Sequence, residues 1–160
     1  GRCRGAKMEY TDGGDGWDLA KNKELLVKVF GDYPSFHDAF VSSICMQRGK
    51  RCREAPSSAS SDRHGREIVD LELEILHNRF GPLDASGTDY LVMLRLQDVK
   101  VANIDVNAML QDSWVMNMTL SRQADGLLVF DLEPNIGLDV QVTCAEVTVL
   151  GIRPYTRVDS

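Results

Sequence analysis

Apolar residues near the N-terminus of this chain follow a helical period, and a period of two replaces it further on. In WDLAKNKELLVKVFG they recur at three- and four-residue spacing from Trp17 to Phe30. Gly31 follows as a C-terminal stop, and Pro34 disfavours helical geometry in the residue before it. The pattern therefore predicts one helix in this segment.

Beyond the helix, short segments alternate between apolar and polar residues, which is typical of strands with one buried face. FVSSICMQ begins the first strand. EIVDLELEIL alternates most clearly, with apolar residues on one face and Asp70, Glu72 and Glu74 on the other. After YLVMLRLQDVKV the apolar positions change phase near Ala102, where we expect a bulge or a short break.

SWVMNMTL, the turn RQADG and LLVFDL together predict a hairpin. We expect its inward side chains to be Trp114, Met116, Met118, Leu120, Leu128, Phe130 and Leu132. The stripe that begins at Trp114 is interpreted as core rather than as a ligand-binding surface. The last segment, LDVQVTCAEVTVLGI, changes phase between Cys144 and Val147, which indicates another bulge or two short strands.

About seven or eight strands and one helix predict a β-rich α+β fold, in which the N-terminal helix packs on an antiparallel sheet or sandwich. We expect residues 1–16 to form a flexible N-terminal segment, 17–155 a single domain and 156–160 a tail. Residues 49–65 are rich in Ser and locally basic, which predicts a mobile loop within the domain.

Size and charge narrow the classes of function. A chain of 160 residues with 43% hydrophobic content can bury a core of about one domain. No apolar run approaches the roughly 20 residues that span a bilayer, and the N-terminus lacks the apolar centre of a signal peptide, so we expect a cytoplasmic chain without membrane contact. The net charge of −6 disfavours binding to nucleic acid and favours a basic partner.

Cysteine and histidine positions predict neither a metal site nor a cofactor. The chain contains Cys3, Cys45, Cys52 and Cys144, without a CxxC pair. Cys45 and Cys144 lie in strand-like runs and are expected to be small core residues, and a Cys45–Cys52 bridge would be unusual in a reducing compartment. His64 and His77 have no ligand-like neighbours at the spacing that zinc sites use.

His37 and Asp38 suggest catalysis, because an imidazole oriented by a carboxylate can act as a general base. Adjacent side chains in an extended segment point to opposite faces, so Asp38 is expected to be poorly placed to orient His37. No GxSxG, HExxH or phosphate-loop motif accompanies the pair. We therefore predict no catalytic residues and interpret the pair as structural, with Phe36 and Phe40 entering the core beside it.

The polar face of EIVDLELEIL suggests a binding surface. Asp70, Glu72 and Glu74 would project from one strand face about 7 Å apart in succession, and we name these three residues the acidic ledge. Such a surface can meet Lys and Arg side chains of a partner protein. The alternative is an ordinary solvated strand face that discourages aggregation.

VFGDYPSFHDAFV, YLVMLRLQDVKVANIDVNAM and LVFDLEPNIGLDVQVTCAEVTVLGIRPY together resemble the bacterial Immunity protein 50 family of polymorphic toxin systems. The resemblance covers about residues 17–155. Its most specific element is an FG-x-x-PSFHDA stretch made of Phe30, Gly31, Pro34, Ser35, Phe36, His37, Asp38 and Ala39. The family stretch continues with an acidic residue where this chain has Phe40.

The resemblance implies an antidote protein that binds a cognate protein toxin and neutralises it by covering its active surface, and it brings no catalytic residues. An acidic surface suits a basic toxin such as a nuclease. The competing hypothesis is a small hydrolase or ligand-binding enzyme that uses His37 as general base, which predicts a solvent-accessible His37 in a pocket.

Overall fold

The structure is a computed structural model that describes residues 15–51, 67–78, 87–111 and 114–156. Its strands are β1 (Phe40–Arg51), β2 (Glu67–Leu76), β3 (Asp89–Ile104), β4 (Trp114–Arg122), β5 (Leu128–Ile136) and β6 (Val140–Tyr155). Its helices are α1 (Glu24–Phe30) and two 3₁₀ helices, η1 (Trp17–Leu19) and η2 (Val106–Leu110). Within these ranges no helix is long and apolar enough to cross a membrane.

The six strands form one antiparallel sheet in the order β1-β2-β3-β6-β5-β4. The prediction of a β-rich α+β fold with an antiparallel sheet is confirmed, and the predicted count of seven or eight strands was too high. The predicted strand count was too high because each change of phase in the apolar positions indicated a possible strand boundary. In the structure, β3 and β6 each continue through such a change as one 16-residue strand. A register shift between Val99 and Val101 absorbs the change in β3, after Asp98 with φ of 55°.

The single helix predicted for WDLAKNKELLVKVFG is instead two helices separated by an extended break. Lys21 pairs there with β6: its N–H donates to the Val147 carbonyl at 2.8 Å, and its carbonyl accepts from the Val149 N–H at 2.9 Å. These bonds to the sheet interrupt the helical period that the apolar residues follow. Gly31 ends α1 as predicted, with φ of 83° and its N–H bonded to the Val27 carbonyl.

The sheet curls so that the chain entering its first strand reaches its last strand. The Asp38 N–H donates to the Val115 carbonyl, and the Val115 N–H donates to the Ala39 carbonyl, both at 3.0 Å. Val115 belongs to β4, at the edge opposite β1. Residues 38–39 therefore fasten the two edges together at one point.

Two predicted boundaries were wrong. Asp15 and Gly16, expected in the flexible segment 1–16, are held on β4, where the Asp15 carbonyl accepts from the Leu120 N–H at 2.8 Å. Residues 49–51, expected in a loop, continue β1. The rest of the predicted flexible segment, loop and tail, namely 1–14, 52–65 and 157–160, lies outside the described residues.

The core lies on the concave face of the curled sheet, with Trp17 fully buried in it. Its ring contacts Phe36 and Phe130, with centroids 5.1 and 6.4 Å away. The hairpin residues predicted to point inward and confirmed as buried are Met118, Leu120, Leu128, Phe130 and Leu132. Trp114 and Met116 are only half-buried, because the β4–β5 register shifts on both sides of Val115 and turns Val115 inward instead.

Candidate functional site

Residues 31–39, which contain the PSFHDA stretch, form the turn between α1 and β1. Phe36 is fully buried and has a left-handed φ of 58°. The Ser35 hydroxyl accepts from the His37 N–H at 3.2 Å, and the Ala39 N–H donates to the Phe36 carbonyl at 3.1 Å. These contacts hold the turn in one conformation, and its backbone hydrogen bonds to β4 connect the two edges of the sheet.

His37 and Asp38 come together on one side of this turn. Asp38 has φ of 69°, so the segment is not extended, and the expectation that the two side chains point apart was wrong. His37 Nε2 lies 3.6 Å from Asp38 Oδ1, a pair that becomes ionic only when the imidazole is protonated. The His37 side chain is 53% exposed, as a catalytic base would need to be.

The other ring nitrogen of His37, Nδ1, contacts a backbone carbonyl of β4. Nδ1 lies 3.0 Å from the Met116 carbonyl oxygen, and because a carbonyl oxygen can only accept, Nδ1 is the donor in this contact. Met116 has no Cα partner in the β4–β5 register, and the imidazole contacts its carbonyl at this irregular point of β4. Neither of the two surface grooves described below includes His37.

The acidic ledge lies on the outer face of β2, as its alternation predicted. The intervening Leu71 and Leu73 are buried, whereas Glu72 is 41% exposed. Glu72 stands directly opposite Arg95 on β3, whose Nε and Nη2 both lie 2.9 Å from its Oε2. Arg95 therefore offsets part of the charge of the ledge.

Asp70, at one end of the ledge, also has a backbone partner. Its Oδ1 accepts from the Asp98 N–H at 2.9 Å, where β3 leaves regular geometry. The alternation of EIVDLELEIL indicated neither Arg95 nor Asp98 as a partner of the ledge. The outward direction of Arg95 follows from the alternation of LVMLRLQ, but its pairing with Glu72 depends on the strand register, which that pattern does not contain.

A shallow groove of about 200 Å³ runs beside the ledge; its polar and sulphur-bearing lining residues are Ser43, Cys45, Glu72, Glu74 and Met93. Cys45 is exposed, so its expected place in the core was wrong, because the register sets it opposite Glu72 on the outer face. A second groove, of about 400 Å³, lies at Gly87, Thr88 and Pro154–Thr156.

Cys144 is buried as expected, and burial raises the pKa of its thiol to about 12, which keeps it protonated and unreactive. Cys3 and Cys52 lie outside the described residues. The Cys45–Cys52 bridge considered above therefore also falls outside them. His64 lies outside them too. Among the described side chains, no three His, Cys, Asp or Glu converge as metal ligands.

His77 is a packed residue at the end of β2. Its ring lies 4.3 Å from that of Phe30 and 5.6 Å from that of Phe36, centroid to centroid. Burial lowers the pKa of the imidazole, and the nearby Asp89 carboxylate opposes that shift. The residue thus joins the turn to the sheet through ring contacts.

Two regions of the molecule therefore stand as candidates, the acidic ledge with its groove and the exposed His37. The chain matches no protein-family model, no curated protein and no solved structure. Its function is accordingly argued from the geometry and charge of these regions.

Proposed function

We propose that this chain is an immunity protein that binds a cognate bacterial polymorphic toxin and blocks it by covering its active surface. It acts as a binding protein, without a catalytic step, in the cytoplasm of the producing cell. The observation that carries the proposal is the acidic ledge, whose carboxylates at Asp70, Glu72 and Glu74 share one face of a strand paired on both sides. The resemblance of residues 30–39 to the Immunity protein 50 family supports it.

A paired sheet suits this task because its surface is formed before the partner arrives. Binding then orders few additional groups, so less of the interaction energy is lost to conformational entropy. A surface of about 800 Å² on each partner is enough for a stable inhibitor complex. The net charge of −6 would accelerate capture of a toxin with a basic active surface, such as a nuclease.

Co-expression of this chain with the protein encoded immediately upstream tests the proposal. We expect the upstream protein to arrest growth when expressed alone, and growth to be restored by this chain. The two proteins should also co-purify as a complex. Absence of both binding and protection would end the proposal.

The alternative function is a small hydrolase or ligand-binding enzyme that uses His37 as general base. The exposure of His37 and its 3.6 Å approach to Asp38 favour it. The Nδ1 bond to the Met116 carbonyl gives the imidazole a structural role instead. Turnover of a substrate by the purified chain, abolished in His37→Gln, would establish the enzyme.

A further inference from the structure

One row of residues crosses four strands of the sheet at the acidic ledge. Glu74 of β2 stands between Ser43 of β1 and Met93 of β3 in the strand register, and Met93 pairs in turn with Gly151 of β6. A Cβ at Gly151 would lie 3.2 Å from the Met93 Cε, so the Met93 side chain extends over β6 where Gly151 leaves room for it. Ser43, Glu74 and Met93 all line the shallow groove beside the ledge, which we name the ledge groove.

An irregular point in β6 supplies more apolar surface to the ledge groove. The β3–β6 register shifts between Met93 and Leu94, and Leu150 is the residue of β6 that this shift skips. Leu150 is 37% exposed and lines the groove together with Met93. Bulges in strands commonly redirect side chains in this way. The groove therefore combines an apolar surface with the acidic side chain of Glu74.

Glu74 carries the uncompensated charge of the groove. The other carboxylate that lines it, Glu72, is paired with Arg95 at 2.9 Å. Within the part of the chain that the structure describes, no ion pair reaches the carboxylate of Glu74. Glu74 is also half-buried, so water solvates its charge less completely than that of a fully exposed side chain.

Other bases lie further from Glu74. Arg153 of β6 is two strands across and two residues along from it in the register, which corresponds to about 12 Å between Cα atoms. The basic end of β1 begins at Arg48, five residues beyond Ser43, which corresponds to about 16 Å along the strand. The ledge groove therefore keeps a net negative charge at Glu74.

The size and the lining of the ledge groove select its occupant. The groove measures about 200 Å³, whereas pockets that hold drug-sized molecules measure about 300 to 1,000 Å³, so a single side chain suits it better. A purely apolar side chain would cover Glu74 without compensating its charge, and an acidic one would be repelled. Arg and Lys combine an apolar stem with a cationic head that can bind a carboxylate.

We infer that the ledge groove receives an Arg or Lys side chain of the toxin, whose cationic head binds Glu74 while its stem packs on Met93 and Leu150. This inference rests on the proposed function and names a contact within it. Because the contact is partly removed from water, it acts mainly on the lifetime of the complex, whereas exposed charges of the ledge act on the rate of encounter.

Surface plasmon resonance with the upstream-encoded protein tests the charge of the groove. The measurement is made in 0.5 M salt, where ions screen the steering by exposed charges. Glu74→Gln should raise Kd at least about tenfold, mainly through faster dissociation. Glu24→Gln is the matched control, since it removes the same charge from an exposed position of α1, and it should bind within about threefold of wild type.

A lysine built into the groove should compete with the side chain of the toxin. Ser43 is the cross-strand partner of Glu74, so a Lys side chain at this position can reach the carboxylate. Ser43→Lys should therefore raise Kd at least about tenfold under the same conditions. Gln47→Lys makes the same change of charge on the same strand, opposite Asp70, and should bind within about threefold of wild type.

Cys45 reports on occupancy of the groove, because its exposed thiol belongs to the lining. A saturating amount of the upstream-encoded protein should slow alkylation of Cys45 by iodoacetamide at least about tenfold, as measured by mass spectrometry of its peptide. Free arginine is the probe for a small cation, and it should leave the rate unchanged. Protection by free arginine alone would make the groove a small-molecule site and overturn the inference.

Each further result has a distinct meaning. If wild type binds and the two groove variants match their controls, the groove inference is wrong and the immunity proposal stands. If wild type does not bind at all, the proposed function fails and the inference with it. A loss of binding in only one of the two groove variants, or an equally reactive Cys45 in the complex, would overturn the inference. An effect of Glu74→Gln confined to association at low salt would show that Glu74 steers the toxin without holding a side chain, which would also overturn it.

Discussion

Trp17 Nε1 donates a hydrogen bond to the backbone carbonyl oxygen of Met118, 3.2 Å away and 101 residues along the chain. The indole is fully buried between Phe36 and Phe130. One bond therefore links the N-terminal segment to β4, next to the point where the edges of the sheet meet. Stability should depend strongly on this residue.

Replacing Trp17 with Phe should lower the free energy of unfolding by about 2 to 4 kcal/mol. The substitution leaves a cavity and also removes the donor to the Met118 carbonyl. The half-buried Trp114 offers a control, since Trp114→Phe should cost less than half as much. Urea unfolding followed by circular dichroism measures both, and equal losses would contradict the central place of Trp17.

Gly16 should tolerate no side chain. A Cβ at this position would lie 1.8 Å from the Leu120 carbonyl oxygen, on a backbone with φ of 86°. Gly126 has a similar φ of 89° with nothing within 4 Å of its Cβ position. Gly126→Ala should therefore cost about 1 kcal/mol for the left-handed backbone alone, and Gly16→Ala at least about 2 kcal/mol more.

Thermal and urea unfolding of the two alanine variants measure their free energies of unfolding. The difference between the two variants is the cost of the steric clash at Gly16, because both carry the cost of a left-handed backbone. Similar stabilities of Gly16→Ala and Gly126→Ala would show that the N-terminal segment does not pair with β4 as described.

His77 should make the fold sensitive to mild acid. Burial lowers the pKa of its imidazole below the usual value of 6.5 that it has in the unfolded chain. Between those two pKa values the unfolded chain therefore binds more protons than the folded one. Stability contributed by neutral His77 is complete above pH 6.5 and is lost as the pH falls towards the folded pKa. His77→Gln should lose less stability than wild type between pH 7.5 and pH 5.5, and an identical loss would exclude His77 as a cause.

Reversing charge on the acidic ledge should slow association with the upstream-encoded protein. Glu72→Lys with Glu74→Lys changes the local charge by four units, and we expect association about tenfold slower at low ionic strength. The difference should shrink in 0.5 M salt, because ions screen exposed charges. Asp70 is left unchanged because its carboxylate bonds to the Asp98 N–H.

Stopped-flow association at two salt concentrations measures this effect. Glu24→Lys with Asp125→Lys, at two exposed positions, makes the same change in net charge away from the ledge. If this control slows association as much as the ledge variant, net charge alone explains the rate. Unchanged association of the ledge variant at low salt would remove the ledge from the proposal.

Sequence periodicity predicted the buried face of β2 and most of the buried residues of the hairpin. In both, each side chain points where its own strand directs it, so a local pattern is sufficient. The end of α1 was likewise predictable, because Gly31 supplies the left-handed conformation that the stop requires.

Features that depend on pairing between distant segments were not predictable. Lys21 breaks the helical pattern because it bonds to β6, which lies more than a hundred residues away. The strand register likewise places Glu72 between Cys45 of β1 and Arg95 of β3, and it directs Cys45 outward. At the candidate site, the turn with left-handed residues brings His37 and Asp38 together, although their residue types alone do not specify it.

A titration of toxin activity against the molar ratio of the two proteins tests the central claim most directly. Activity of the upstream-encoded protein should fall linearly with added chain and vanish at one chain per toxin, because each molecule covers one active surface. Inactivation of excess toxin by a substoichiometric amount of this chain would reveal catalytic turnover. No inactivation at any ratio would show that this chain does not cover the active surface of the upstream-encoded protein. Either result would contradict the account.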